Sequence, residues 1–139
     1  IVKNGGVGVE ITYKSCIAVL GAIFSYLYSG LDTLIEILVA FVIIDYISGF
    51  IAAWVEGKLR SSVGYIGIAK KIMIFLIVAV AHLTDQIIGE GHLLRDATIF
   101  LYLANELLSI IENAGRIGLP VPSILLNAVE IFKNKNERR

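Results

Sequence analysis

The chain of 139 residues contains four apolar stretches that short polar segments separate. They comprise residues 17–29, 34–55, 72–88 and 97–111. Apolar residues make up 57% of the chain, whereas soluble domains typically contain about 45–50%. The sequence therefore predicts an all-α integral membrane protein with three to four transmembrane helices.

The basic residues are distributed unevenly around these stretches. If all four stretches cross a bilayer, eleven of the 12 Lys and Arg residues fall on one side and Arg95 falls on the other. Short cytoplasmic loops of membrane proteins carry an excess of Lys and Arg. We therefore predict a multi-pass membrane protein with both termini in the cytoplasm. Residues 56–71, which are rich in Gly and Ser, are predicted to be a cytoplasmic loop.

The second apolar stretch gives the clearest transmembrane helix. Residues 34–55 span about 33 Å at 1.5 Å per residue, close to the roughly 30 Å thickness of the hydrocarbon layer. Thr33 and Glu36 have the spacing of a capping box at its start. The first and fourth stretches are shorter than the roughly 17 residues of a perpendicular span. Either of them can be tilted, interfacial or re-entrant, which leaves three or four passes.

The whole chain is predicted to form one membrane domain. In this interpretation residues 1–16 are a leader, residues 17–111 hold the transmembrane helices and residues 112–139 are a cytoplasmic tail. Gly and Pro residues end the fourth helix, because Gly adopts left-handed closing conformations and Pro cannot continue a helix. Beyond them we predict a short amphipathic helix on the inner membrane surface, with an apolar face formed by Leu125, Ala128, Val129 and Phe132.

An acidic residue, Asp45, lies in the middle of the second helix. A bare carboxylate at this depth costs about 3 kcal/mol, so Asp45 must face protein or water. Small residues on the same face allow another backbone to approach closely. We interpret this face as a site of helix packing and oligomerisation, or as part of a channel lining; the alternative is a satisfied hydrogen bond with no further role. The face comprises Asp45, Ser48, Gly49, Ala52 and Ala53.

The fourth segment carries a polar stripe on an otherwise apolar helix. Polar residues recur there at intervals of three and four, which places them on one helical face. Such a helix can line a water-filled path once several copies assemble. Alternatively, it lies in the membrane interface or packs its stripe against Asp45. The candidate pore-lining residues are Tyr102, Asn105, Glu106, Ser109 and Asn113.

The remaining polar residues form no recognisable catalytic motif. His82 and Asp85, with Glu90, His92 and Asp96 beyond them, invite a metal site, but zinc sites need several fixed ligands. We interpret these residues as interfacial and loop groups. The sequence therefore predicts no enzyme, no cofactor, no metal and no nucleic-acid partner.

In this order and spacing, the polar and small residues resemble those of the phage lysis and toxin-secretion holins. The resemblance extends from the second helix to the pair of prolines. It rests on Asp45, Gly49, Ser61, Ser62, Gly64, Gly67, Ile68, Lys71, Asp85, Tyr102, Glu106, Ser109, Ile110, Glu112, Asn113, Gly118, Leu119, Pro120, Val121 and Pro122.

This resemblance implies a small protein of the bacterial cytoplasmic membrane that oligomerises there and opens lesions. An endolysin, or in some systems a toxin, leaves the cytoplasm through them, and the host cell lyses. The partners implied are the lipid bilayer, further copies of the chain and the released protein. Two other functions stay open. In a small ion or solute transporter, Asp45 and Glu106 would be substrate or proton sites, and a structural subunit would use its charged tail as a scaffold.

Overall fold

The fold was analysed in a computed structural model that describes residues 4–28, 32–89, 91–127 and 130. These residues form four long helices and contain no strand, which confirms the prediction of an all-α protein. A further short helical segment covers residues 123–127. The long helices are α1 (Asn4–Tyr28), α2 (Thr33–Val55), α3 (Ser61–Ile88) and α4 (Leu93–Arg116).

Three of the helices are long and apolar enough to cross a membrane, which agrees with the predicted multi-pass membrane protein. The candidate spans are Gly6–Leu27, Thr33–Val55 and Gly64–Ile88. α4 is not among these candidate spans, because its polar residues lower its mean hydropathy. Its 24 residues nevertheless extend for about 36 Å at 1.5 Å per residue, as far as a transmembrane helix does.

α2 and α4 lie side by side and run in the same direction. Arg95 at the start of α4 pairs with Asp32 just before α2, and Arg116 at the end of α4 pairs with Glu56 just after α2. α3 runs in the opposite direction, from the end of α2 to the start of α4, and packs against both helices. α1 packs mainly on α3, and most of its side chains are exposed. The buried apolar core consists of Ile35, Leu38, Val42, Ile74, Val78, Ala79 and Ile99.

The predicted cytoplasmic loop over residues 56–71 is wrong in its extent. α3 begins at Ser61, so the connection from α2 comprises only residues 56–60. Gly64 and Gly67 lie against the ring of Tyr46, where an added Cβ atom would be 3.5 Å from the nearest ring or hydroxyl atom. Their small size lets this glycine-rich segment pack on α2 as a helix instead of forming a loop.

Other predicted boundaries also shift. α1 begins at Asn4, so most of the predicted leader is helical, and α4 includes residues 112–116 of the predicted tail. The N-cap of α2 is Asp32 rather than Thr33, because the Asp32 carboxylate accepts a hydrogen bond from the backbone of Ile35 at 3.1 Å. In the predicted tail helix, Ala128, Val129 and Phe132 lie outside the described residues.

Candidate functional site

A buried cluster of charged side chains joins three helices at mid-length. The Lys71 ammonium group on α3 donates hydrogen bonds to the carboxylates of Asp45 on α2 and Glu106 on α4. Only 18% of the Lys71 side chain is exposed, and the two acidic side chains are buried still more deeply. We call these three residues the charge cluster. It gives each acid a counter-ion inside a bundle that is otherwise apolar.

A buried carboxylate is stable only when hydrogen bonds and opposite charge replace its hydration. Lys71 provides one positive charge for two acids, so further donors are needed. Asn113 on α4 supplies one, because its Nδ2 atom lies 3.1 Å from Asp45 Oδ1 and 3.0 Å from Ser48 Oγ. The Ser48 hydroxyl donates to the backbone carbonyl of Asp45 at 3.0 Å. The polar groups of α2 and α4 thus form one connected network.

The small-residue face of α2 lies against α4 of the same chain. A Cβ atom added at Gly49 would be 3.4 Å from Nδ2 of Asn113, so the absence of a side chain admits the amide. Ala52 and Ala53, one turn further along α2, are buried. The structure therefore brings Asp45, Ser48 and Gly49 together with α4 in a single chain. A role for this face in oligomerisation stays a prediction.

The predicted stripe of α4 divides into buried and exposed parts. Glu106 and Asn113 are buried in the contact with α2 and α3, Tyr102 and Ser109 are half-buried, and Asn105 is exposed. The arrangement within one chain thus corresponds to the alternative in which the stripe packs against Asp45. Whether these residues line a pore in an assembly stays a prediction.

An ion pair joins α2 and α4 at the end nearest the 56–60 connection. Arg116 donates to both carboxylate oxygens of Glu56, from Nε at 3.1 Å and from Nη2 at 2.8 Å. These hydrogen bonds hold the pKa of Glu56 below its ordinary value. A third Arg116 nitrogen, Nη1, donates to Asn113 Oδ1 at 3.0 Å, which links this pair to the charge cluster through one amide.

A second polar cluster joins the opposite ends of the helices. Arg95 is 2% exposed and pairs with Asp32 and Asp96. Asp85, at the end of α3, accepts hydrogen bonds from the backbone of Leu94 at 2.9 Å and of Arg95 at 2.8 Å. Because the first amides of a helix lack partners within the helix, Asp85 stabilises the start of α4 as a cap does.

The residues that suggested a metal site have other contacts in this end of the bundle. Asp85 is occupied by the backbone of α4, and the ring of His82 stacks on that of His92 with 5.7 Å between their centroids. Glu90 lies outside the described residues. Within the described ranges, no three His, Cys, Asp or Glu side chains are grouped so that they could hold a metal ion.

The sequence reasoning missed the three cations that pair with these acids. From the sequence, all three are charges that mark a membrane side, and Lys71 is also part of the family resemblance, but none of Lys71, Arg95 and Arg116 is predicted to pair with an acid. A signal was available for Lys71, because an acid at mid-membrane requires a partner and Lys71 directly precedes the third apolar stretch. No comparable signal identifies the partner of Arg116, since Glu56 lies 60 residues away in the sequence.

Comparison with known proteins identifies the family of this chain. A model of the bacteriophage holin family matches residues 22–134. An uncharacterized protein of Listeria monocytogenes is 49% identical over 91% of both chains. A probable holin of Bacillus phage phi105 is 34% identical over 83% of this chain and 84% of its own length. No solved structure matches the chain. The family match covers most of the chain, and the chain therefore belongs to the bacteriophage holin family.

Proposed function

We propose that this protein is a holin, which oligomerises in the bacterial cytoplasmic membrane and forms lesions that release an endolysin or a toxin. Membership of the holin family and the similarity to a probable holin support this function. Three helices that are long enough to cross a membrane support its location. In this function the chain performs no catalysis and needs no cofactor. Its partners are the bilayer, further copies of itself and the protein that is released.

The burial of Glu106 is the observation that carries the mechanism. A lone copy in lipid must satisfy each polar group of α4 internally, because an unpaired group in hydrocarbon costs several kcal/mol. Lys71 and the network around Asp45 provide these partners in the single chain. We infer that this arrangement is the closed form of the protein, in which the polar face of α4 is hidden from lipid.

Opening then consists of exchanging these internal partners for water. Separating a buried ion pair without replacement costs about 3–5 kcal/mol, which keeps an isolated chain closed. When several copies surround a common space, water can solvate Glu106 and Asn113 as α4 turns. The penalty is then largely removed, so that assembly and exposure of the polar face favour each other. The exposed apolar side chains Phe100 and Leu101 lie on other faces of the same helix.

We further propose that the 56–60 connection and the end of α4 lie on the cytoplasmic side. Lys58, Arg60 and Arg116 belong to this end of the bundle, whereas the opposite end contains Arg95. An excess of Lys and Arg favours retention of a loop in the cytoplasm. The pairing of Arg116 with Glu56 supports the same side for both segments.

Replacement of Glu106 tests this function. Glu106→Leu leaves Lys71 paired with Asp45 alone and replaces a carboxylate that needs water or a counter-ion with a side chain that is stable in lipid. Release of a co-expressed endolysin should therefore be slowed or abolished. Glu106→Gln retains a polar group and should have a smaller effect. Glu36→Leu, which replaces an exposed acid on α2, is the matched control and should release endolysin as the parent does.

The amount of membrane-inserted protein is measured beside release for each variant. Equal insertion with delayed release is the expected result for Glu106→Leu. Release at the parental time and to the parental extent would contradict a lining role for α4.

The buried charge cluster also favours a second candidate function, a small ion or solute transporter, because ionisable groups inside a membrane commonly mark ion pathways. Release of ions and of an entrapped enzyme from vesicles that contain the purified protein distinguishes a transporter from a holin. A transporter passes ions but retains an entrapped folded enzyme, whereas a holin lesion releases both.

A further inference from the structure

A cavity of about 200 Å³ opens between α2, α3 and α4 near the 56–60 connection. Its charged lining residues are Arg60, Arg116, Lys71 and Asp45. Arg60 is exposed at the start of α3, whereas Asp45 is buried at mid-bundle, so the cavity extends inward from the end of the helices. Acidic partners already neutralise Lys71 and Arg116, so Arg60 at the mouth is the lining cation that, in the described part of the chain, makes no ion pair; we call this space the basic cavity.

A second, apolar groove lies beside this cavity between α2 and α3. The groove has a volume of about 240 Å³, and Tyr46 and Lys71 line both spaces. The rest of its lining includes Ile43, Ile47 and Ile72. The apolar groove thus lies deeper along the helices than the basic cavity does. Together they present a charged end near the membrane surface and an apolar end toward the membrane centre.

We propose that the cavity and the groove bind one anionic phospholipid, with its phosphate in the basic cavity and an acyl chain in the apolar groove. Basic pockets between transmembrane helices on the cytoplasmic side are typical sites for anionic headgroups. The order of charge and apolar surface matches that of a lipid in the same leaflet. A free phosphate ester would leave the apolar groove unused.

Arg60 is the residue best placed to attract the headgroup. Arg116 is held by Glu56 and Asn113, and Lys71 is held by the two acids of the charge cluster. Among the residues that the structure describes, Arg60 makes no ion pair, so its guanidinium can meet a phosphate without breaking an existing contact. Its planar donors suit phosphate oxygens.

The single tryptophan provides a probe for this site. Trp54 is 68% exposed and lies one turn beyond Phe50, which lines the cavity. The full chain is placed in phosphatidylcholine vesicles that contain a small fraction of lipid with brominated acyl chains, which quench tryptophan fluorescence. Brominated phosphatidylglycerol should quench Trp54 more strongly than the same fraction of brominated phosphatidylcholine. Lesion formation is not required, so the result is independent of the proposed function.

Two variants show whether the preference belongs to this site. Arg60→Gln should lower the preference for phosphatidylglycerol about fivefold, the effect expected for one basic group near a membrane surface. Lys58→Gln removes an exposed charge from the same 56–60 connection that does not line the cavity, and should retain the parental preference. Equal quenching by the two lipids, or equal losses in both variants, would overturn the proposal.

A soluble competitor identifies the source of the phosphate. Excess glycerol phosphate should leave the quenching by phosphatidylglycerol unchanged, because it lacks the acyl chain that the groove holds. Loss of that quenching would assign the cavity to a free phosphate ester and overturn the lipid proposal.

Discussion

At the scale of single residues, Lys71 determines whether two membrane acids can be buried at all. Its ammonium group lies between Asp45 and Glu106, which come from different helices. One cation that serves two carboxylates makes the three helices interdependent. Removing it leaves two like charges close together in a medium that cannot solvate them.

Lys71→Met should therefore destabilise the folded chain strongly. We expect a loss of about 3–5 kcal/mol, the range for removing one partner of a buried ion pair. Lys70→Met changes a neighbouring exposed lysine and should cost no more than about 0.5 kcal/mol. Reversible unfolding in detergent micelles measures both values. Similar stabilities of the two variants would show that the charge cluster contributes little.

Gly49 should tolerate a methyl group but not a large side chain. A Cβ atom there meets Asn113 at 3.4 Å, so Gly49→Ala requires only a slight shift. Gly49→Leu would displace the amide that serves Asp45 and push α2 away from α4. We expect lower stability in micelles and altered lysis timing for the leucine variant, with the alanine variant near the parent. Parental stability of Gly49→Leu would show that α2 and α4 are not packed closely at this position.

Sequence reasoning reached Asp45 and Glu106 but not the residue that joins them. An acid within an apolar stretch stands out, because its cost in hydrocarbon forces it to find a partner. Lys71 follows Lys70 at the border of a glycine-rich segment, and such a pattern is typical of a cytoplasmic loop. Only the packing of Gly64 and Gly67 on Tyr46 reveals that the helix already began ten residues earlier, at Ser61.

At the scale of helices, α4 is the element whose position in the bundle is least expected from its sequence. Its composition excludes it from the candidate membrane spans, yet ion pairs align its two ends with those of α2. Burial of Glu106 and Asn113 explains the difference, since hydropathy averages a helix over all of its faces. A polar stripe predicts an amphipathic helix, but the sequence does not reveal whether that stripe faces water, lipid headgroups or other helices.

The Glu56–Arg116 pair should make the end of α4 sensitive to acid. Because Arg116 lowers the pKa of Glu56 from its ordinary value of 4.5, the unfolded chain binds a proton at a higher pH than the folded chain does. The stabilisation is therefore complete above pH 4.5 and is lost as the pH falls through the lowered pKa.

Glu56→Gln should accordingly be less stable than the parent at neutral pH, and the difference should disappear in acid. Unfolding in micelles across this pH range measures it. A constant difference at every pH would show that the ionisation of Glu56 does not contribute.

At the scale of the whole molecule, the described residues form a core of α2, α3 and α4, with α1 attached on one side. Polar networks tie both ends and the middle of this core, whereas apolar contacts fill the space between them. The four long helices could be predicted from the apolar stretches of the sequence, and the membrane character of three of them from hydropathy. The partners of the buried charged side chains could not be predicted, because each network joins residues that are distant in the sequence.

The orientation of the whole chain can be tested by labelling. In a Cys16→Ser background, a cysteine at Ser61 or Ser62 should be protected from an impermeant thiol reagent in intact cells, because the 56–60 end is proposed to be cytoplasmic. His92→Cys, in the exposed turn at the opposite end, should be labelled. The reverse pattern would invert the proposed topology.

A reversible cross-link between α2 and α4 tests directly whether these helices must separate for the lesion to open. In the Cys16→Ser background, Gly49→Cys and Asn113→Cys place two thiols at facing positions of α2 and α4, where the Asn113 amide now lies against Gly49, so that an oxidant can join them. Oxidised protein should insert but fail to release endolysin, and reductant should restore release. Single-cysteine variants control for the substitutions. Release at the parental time from fully cross-linked protein would contradict the claim that α4 leaves α2 when the lesion opens.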